Sequence, residues 1–169
     1  MESILKEERF DYVSEADKAF IAAFTREMER MGYEWGGNIG SGYCWGRHMI
    51  IYTKAGVKSK VVAARIYLRE PNVVLRLFLN KIDQHARFIE ESAPAYIQEV
   101  FTGPRADCRH DRDDGGGKCQ FRKTYTLEGR LIEKCNGETF EFHQPSVEKL
   151  PDYVALFAEF FAPKRGRAG

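Results

Sequence analysis

No run of apolar residues in this chain approaches the roughly 18 that a membrane-spanning helix needs, so a partner reached by crossing a bilayer is not expected. A dominant charge is missing too. Lys and Arg number 26 against 25 Asp and Glu, a formal net charge of +1, which argues against bulk electrostatic capture of nucleic acid or of an anionic membrane. The opening residues, Met1 to Arg9, are charged and carry no apolar stretch of the signal-peptide kind, which points to a cytoplasmic location. Nowhere is Pro, Gly or Ser dense enough for an interdomain linker, so one domain is expected over residues 1–169. H-E-x-x-H and G-x-S-x-G do not occur, which removes the commonest zinc-protease and serine-hydrolase signatures. With 43% hydrophobic residues the chain can still build a core, which excludes a disordered or collagen-like protein.

Periodicity divides the chain into alternating helical and strand-like segments. Phe20, Ile21, Phe24, Met28 and Met31 recur at helical spacing, Ser14 and Asp17 resemble a cap, and Gly32 stops the run, which predicts a helix near 14–31. Strand-like runs follow at about 43–54, 60–69 and 72–79, with turn chemistry at Ala55-Gly56 and Glu70-Pro71. Connections this short join antiparallel neighbours, giving a three-stranded meander over about 43–79. Residues 81–101 read as helical, divided by Pro94. A second meander is expected over about 121–143, from Phe121–Leu127, Arg130–Cys135 and Thr139–His143, with Glu128-Gly129 and Asn136-Gly137 as hairpin turns. A last helix near 151–162 starts at Pro151, and a basic tail follows over 163–169. The fold class is α+β.

Between the two halves lies a charged, glycine-rich loop over 103–120. Of the four cysteines, Cys108, Cys119 and Cys135 cluster around it. Zinc takes four thiolate or imidazole ligands in a tetrahedron, a set that Cys108, His110, Cys119 and Cys135 could supply as a structural site. With Glu128-Gly129 as a two-residue turn, Leu127 pairs with Arg130, and Cys119 and Cys135 fall at the same end of one hairpin. The fourth ligand is His110, Asp111 or absent. Free thiols and a disulfide are the competing readings, the disulfide disfavoured in a cytoplasmic protein.

The segment Gly117-Lys118-Cys119-Gln120-Phe121-Arg122-Lys123-Thr124-Tyr125-Thr126, followed by Gly129 and then by Glu133-Lys134-Cys135-Asn136-Gly137, resembles the signature GKCxFRKTYTxxG…EKCxG of an uncharacterised family of small bacterial proteins. The resemblance implies a shared fold and a cysteine cluster, and no activity. In that family the upstream loop often carries C-x-x-C, which would put a cysteine where this chain has Asp111.

A second candidate lies earlier. Gly36, Gly37, Gly40, Gly42 and Gly46 are not a phosphate cradle, because Arg47-His48 within a strand follows the last of them, where a P-loop needs Lys-Ser/Thr and a helix. The aromatics among them, Trp35, Tyr43 and Trp45, either complete the core or line a small-ligand pocket with Arg47 and Arg65. Strand arginines Arg47, Arg65, Arg76 and Arg122 either pair with glutamates across a solvated sheet face or converge on an anion. Cys44 and His48, four apart on one strand, would share a face about 13 Å apart, too far for a thiolate–imidazole pair. The leading functional reading is a non-enzymatic module binding a small molecule or a protein. The alternative is an enzyme acting on a small anionic substrate at the aromatic and arginine-lined sheet face.

Overall fold

The computed structural model describes residues 1–103, 122–134 and 139–161. Their helices are α1 (Glu15–Arg30), α2 (Ala86–Glu91), α3 (Ala95–Thr102) and α4 (Leu150–Phe161). Their strands are β1 (Tyr33–Glu34), β2 (Gly40–Ser41), β3 (His48–Lys54), β4 (Val62–Leu68), β5 (Val74–Phe78), β6 (Lys123–Leu127), β7 (Arg130–Lys134) and β8 (Thr139–His143). The fold is α+β, and the chain divides into two compact units: residues 1–79 with 139–150, and residues 80–103 and 122–134 with 151–161.

The first unit is an antiparallel sheet with α1 against one face. Strands run in the order β1-β3-β4-β5-β8, and β2 pairs with β3 as well. The helix starts where the sequence places it: the Ser14 hydroxyl oxygen accepts the Asp17 backbone N–H at 3.1 Å, satisfying one of the donors a helix N-terminus leaves open. Phe20, Ile21, Phe24 and Met28 are buried. Phe24 meets the ring of Tyr52 edge-on at 5.3 Å, and the Thr25 and Tyr52 hydroxyls lie 2.7 Å apart. Period-2 alternation therefore assigns Tyr52 to the inner face with Ile50, and their cross-strand partners Ala64 and Ile66 share it. Leu75, Leu77, Phe140 and Phe142 continue that face and are all buried.

Two expectations need correcting. The strand expected from residue 43 starts at His48, and Tyr43–Trp45 is a short 3-10 turn. More consequentially, Thr139–His143 does not complete the second meander: it pairs with β5 as the far strand of the first sheet, with Leu75 opposite Phe142 and Leu77 opposite Phe140. That pairing puts both phenylalanines into the core, a gain of roughly 2–3 kcal/mol each over leaving them exposed. Asn136-Gly137 lies outside the described residues.

In the second unit, β6 and β7 form a two-stranded sheet whose register, Leu127 with Arg130, is the one expected for a Glu128-Gly129 turn. Both turn residues have positive φ, +51° and +70°, as the favoured two-residue hairpin turn requires. Pro94 precedes α3 and separates it from α2. The Tyr125 hydroxyl donates to the Phe101 carbonyl at 2.6 Å, and Tyr96 donates to the Asp152 carboxylate at 2.6 Å. Burial and the neighbouring carboxylate push the Tyr96 phenol well above its ordinary range. No described helix is long and apolar enough to cross a membrane.

Candidate functional site

The alternation that buries Tyr52 and Ile66 turns the other residues of the first sheet to its outer face. Register aligns Ile51, Arg65, Arg76 and Glu141 in one cross-strand row, and Met49, Tyr67, Val74 and His143 in the next. Two arginines thus sit directly opposite one another, an arrangement that repels unless something compensates. For Arg76 the compensation is complete. Its Nε donates to Glu141 Oε1 at 3.0 Å and its Nη2 donates to the same oxygen, while its Cζ lies 4.3 Å from the Trp45 ring centre and 5.0 Å from that of Tyr67. Its side chain is only 6% exposed. Charge-assisted hydrogen bonds and cation–π attraction together hold this cation out of water.

Arg65 has no such provision. Nη1 donates to the Tyr67 hydroxyl at a long 3.4 Å, and Cζ stands 5.2 Å from the Phe78 ring centre. Nε is buried and has no acceptor among the described residues. Among the described residues the edge formed by Nε and Nη2, the edge that Arg76 offers to Glu141, donates to nothing. A buried donor left in this state costs about 1–3 kcal/mol, and more on a charged group.

Trp45 reaches this face from a turn that only glycine permits. A Cβ on Gly42 would lie 2.2 Å from the Gly46 carbonyl oxygen and 2.8 Å from that of His48, and one on Gly46 would lie 2.7 Å from the Leu68 oxygen. Backbone bonds lock the turn: Gly42 N–H to the Arg47 carbonyl at 3.2 Å, Trp45 N–H to Gly42 at 3.1 Å, and Arg47 N–H to Leu68 at 3.0 Å. Trp45 remains 43% exposed above Tyr67, its ring centre 6.0 Å away.

The other residues named from the sequence go to different places. Tyr43 is 80% exposed. Trp35 follows β1, which pairs with the Thr53–Lys54 end of β3, and its indole N–H donates to Glu29 at 3.3 Å; Trp45 precedes the opposite end of that strand. Arg47 lies over the Tyr12 ring at 4.6 Å and pairs with Glu70 at 2.9 Å. Arg122, in the second unit, pairs with Glu133 at 3.1 Å. The structure therefore brings together Trp45, Arg65 and Arg76, and adds Tyr67 and Glu141, which the sequence reading did not single out. Alternation already puts Tyr67 on the side of Arg65, but nothing local connects Glu141 to Arg76, 65 residues away. Cys108, His110, Cys119 and Cys135 lie outside the described residues. Cys44 is a free, exposed thiol. Among the described residues no group of three or more His, Cys, Asp or Glu side chains is placed to hold a metal ion.

A second polar cluster lies at the start of β3. His48 Nδ1 and the Tyr12 hydroxyl are 2.8 Å apart, and the same hydroxyl lies 3.2 Å from the Leu68 carbonyl oxygen. Phe10 packs edge-on against the imidazole at 4.9 Å. Burial lowers the His48 pKa below its ordinary value, and the positive charges of Arg9 and Arg47 lower it further. The unfolded chain therefore takes up this proton at a higher pH than the native state does. Stability from this residue is full above the ordinary histidine value near 6.5 and is lost as pH falls from there to the lowered native value. Urea midpoints measured between pH 8 and pH 5 should show a fall that is smaller in His48→Gln. Equal falls in the two proteins would assign the pH dependence to other groups.

Comparison of the chain with protein-family models, with curated proteins and with solved structures finds no match.

Proposed function

We propose that the first unit is a binding module for small anionic molecules, which it holds on the outer face of its sheet beside Trp45 and Arg65. The observation that carries this reading is the contrast between the two opposed arginines: Arg76 is paired with Glu141, and Arg65 has no carboxylate partner among the described residues. A guanidinium without a carboxylate partner can donate charge-assisted hydrogen bonds to a carboxylate or phosphate. Binding is favoured over turnover because the acid–base groups of the face are engaged. Glu141 accepts from Arg76, and His143 contacts Arg69 at 3.3 Å and Glu141 at 3.6 Å.

Trp35→Phe leaves Trp45 as the sole tryptophan and turns emission into a reporter of the site. Acrylamide should quench Trp45 readily in the free protein, and benzoate or inorganic phosphate should reduce that quenching. Arg65→Gln should abolish the protection. If neither anion alters Trp45, or if Arg65→Gln responds as the parent does, the face is not an anion site.

A structural zinc is a further part of the proposal and rests on sequence spacing. Cys108, Cys119 and Cys135 would supply thiolates, with His110 or Asp111 completing the set.

A further inference from the structure

Arg69 and His143 stand at the Trp45 end of the outer face. Alternation carried one residue past β4 puts Arg69 on the side of Arg65 and Tyr67, with Leu68 turned inward like Ala64 and Ile66. Arg69 starts beside the turn that presents Trp45: a Cβ built on Gly46 would lie 3.5 Å from the Arg69 Cβ. Arg69 Nη2 is 3.3 Å from His143 Nδ1, and among the described residues this guanidinium has no other acceptor. The adjacent carboxylate, Glu70, is held by Arg47 at 2.9 Å. On the other side of the imidazole, His143 Nε2 faces Glu141 Oε2 at 3.6 Å. Glu141 divides its oxygens, because both bonds from Arg76 go to Oε1. Arg69 and Glu141 are thus the charged groups that meet His143, with Arg76 behind Glu141 and Val74 as the cross-strand neighbour. The His143 side chain is 43% exposed, so protons reach it from solvent.

We infer that His143 is an acid-sensitive gate on this face: while neutral it occupies Arg69, and on protonation it releases Arg69 to an anion beside Trp45. This inference rests on the anion-binding reading above and adds its regulation. An arginine donates and never accepts, so its contact with Nδ1 requires that nitrogen to be unprotonated. The neutral ring then carries its proton on Nε2, toward Glu141. Protonation places a second N–H on Nδ1. Two donors and two positive charges then face each other across the contact, and the pair separates. The imidazolium has an acceptor waiting, since Glu141 Oε2 lies beyond Nε2 and the bonds of Arg76 go to the other oxygen. Arg76 therefore keeps its partner, and the framework of the face is undisturbed. Arg69 has no second acceptor among the described residues. The face gains a released guanidinium and one unit of positive charge, and both favour a carboxylate or phosphate.

The test uses the full-length Trp35→Phe protein as parent, with His143→Gln and Arg69→Gln made in it, between pH 8 and pH 5.5, within the range where histidines change charge. Benzoate, which stays ionised throughout, is the probe. Protection of Trp45 from acrylamide reports binding, and the NMR resonances of the Arg69 Nε–H and the His143 ring are followed without ligand. The Arg69 resonance should move in step with the His143 ring in the parent and stay still in His143→Gln. Benzoate should bind the parent at least about threefold more tightly at pH 5.5 than at pH 8. That difference should vanish in His143→Gln and shrink in Arg69→Gln. Equal affinity at the two pH values would overturn the gate and leave the anion site in place. A pH effect that persists in His143→Gln would overturn it too, by assigning the effect to another group such as His48, which every variant retains. An Arg69 resonance indifferent to the His143 titration would overturn the release of Arg69. No protection by benzoate at either pH would remove the anion-binding reading and the gate with it. The parent's own titration, affinity beside the two resonances, decides the matter even if a variant fails to fold.

Discussion

Glu141→Ala should destabilise the protein by about 2–3 kcal/mol, measured as a loss of unfolding free energy in urea. The substitution leaves the Arg76 guanidinium, 6% exposed and packed against Trp45 and Tyr67, without its carboxylate and directly opposite a second arginine. Breaking a buried ion pair from one side typically costs about 3–5 kcal/mol, because an uncompensated charge stays behind. Glu141 is itself one-third exposed, so water screens part of the interaction and the expected cost falls at or just below the low end of that scale. The double substitution Arg76→Met with Glu141→Leu should recover most of the loss, since replacing both partners with apolar groups removes the stranded charge. A Glu141→Ala protein within about 0.5 kcal/mol of the parent would mean that Arg76 does not depend on this carboxylate, a change within the range of ordinary surface substitutions. The double substitution would also empty the outer face of its reference ion pair, so it separates the stability role of Arg76 from the ligand role assigned to Arg65.

The second large effect is expected at the turn that presents Trp45. Gly42→Ala should cost about 2–3 kcal/mol, at the upper end of what inserting one carbon into a packed region usually costs. The added Cβ would meet two backbone oxygens, those of Gly46 and His48, at 2.2 and 2.8 Å, and neither belongs to a side chain that could swing aside. The turn must therefore open, and Trp45 moves off Tyr67 and Arg76. In the Trp35→Phe background the Trp45 emission should shift to the red and become more accessible to acrylamide. Gly40→Ala is the matched control: a Cβ there meets nothing within 4 Å, so stability and emission should both stay near the parent's. Indistinguishable emission from Gly42→Ala and the parent would show that the turn can accommodate a side chain and that Trp45 is held by its ring contacts alone.

Local chemistry makes much of this chain legible from its sequence alone. The start of α1 at Ser14, the division at Pro94, the start of α4 beside Pro151 and the Glu128-Gly129 hairpin with Leu127 opposite Arg130 all depend on residues within a few positions of one another. Helix caps, proline geometry and positive-φ turns act over that range, so the residues that encode them are also the ones that feel them. The first meander was readable for the same reason, because its connections are too short for any other pairing.

The candidate site was not legible in that way. Alternation says that Arg65 and Tyr67 share a face, and that Glu141 shares one with neither Phe140 nor Phe142, but it does not say which strand lies beside which. That choice was made by Phe140 and Phe142, which find a core beside Leu77 and Leu75 and so carry Glu141 across to Arg76. Likewise, the crowding of Trp35 and Trp45 in one stretch of chain suggested a shared pocket, whereas the pairings of β1 and β2 with opposite ends of β3 send the two indoles apart. Sequence proximity is lost over the length of a single strand, and contacts between distant segments are selected by the apolar area they bury together. Those are the two quantities that a reading of neighbouring residues does not contain, and they decided that Arg76, of the opposed pair, would have the Glu141 carboxylate.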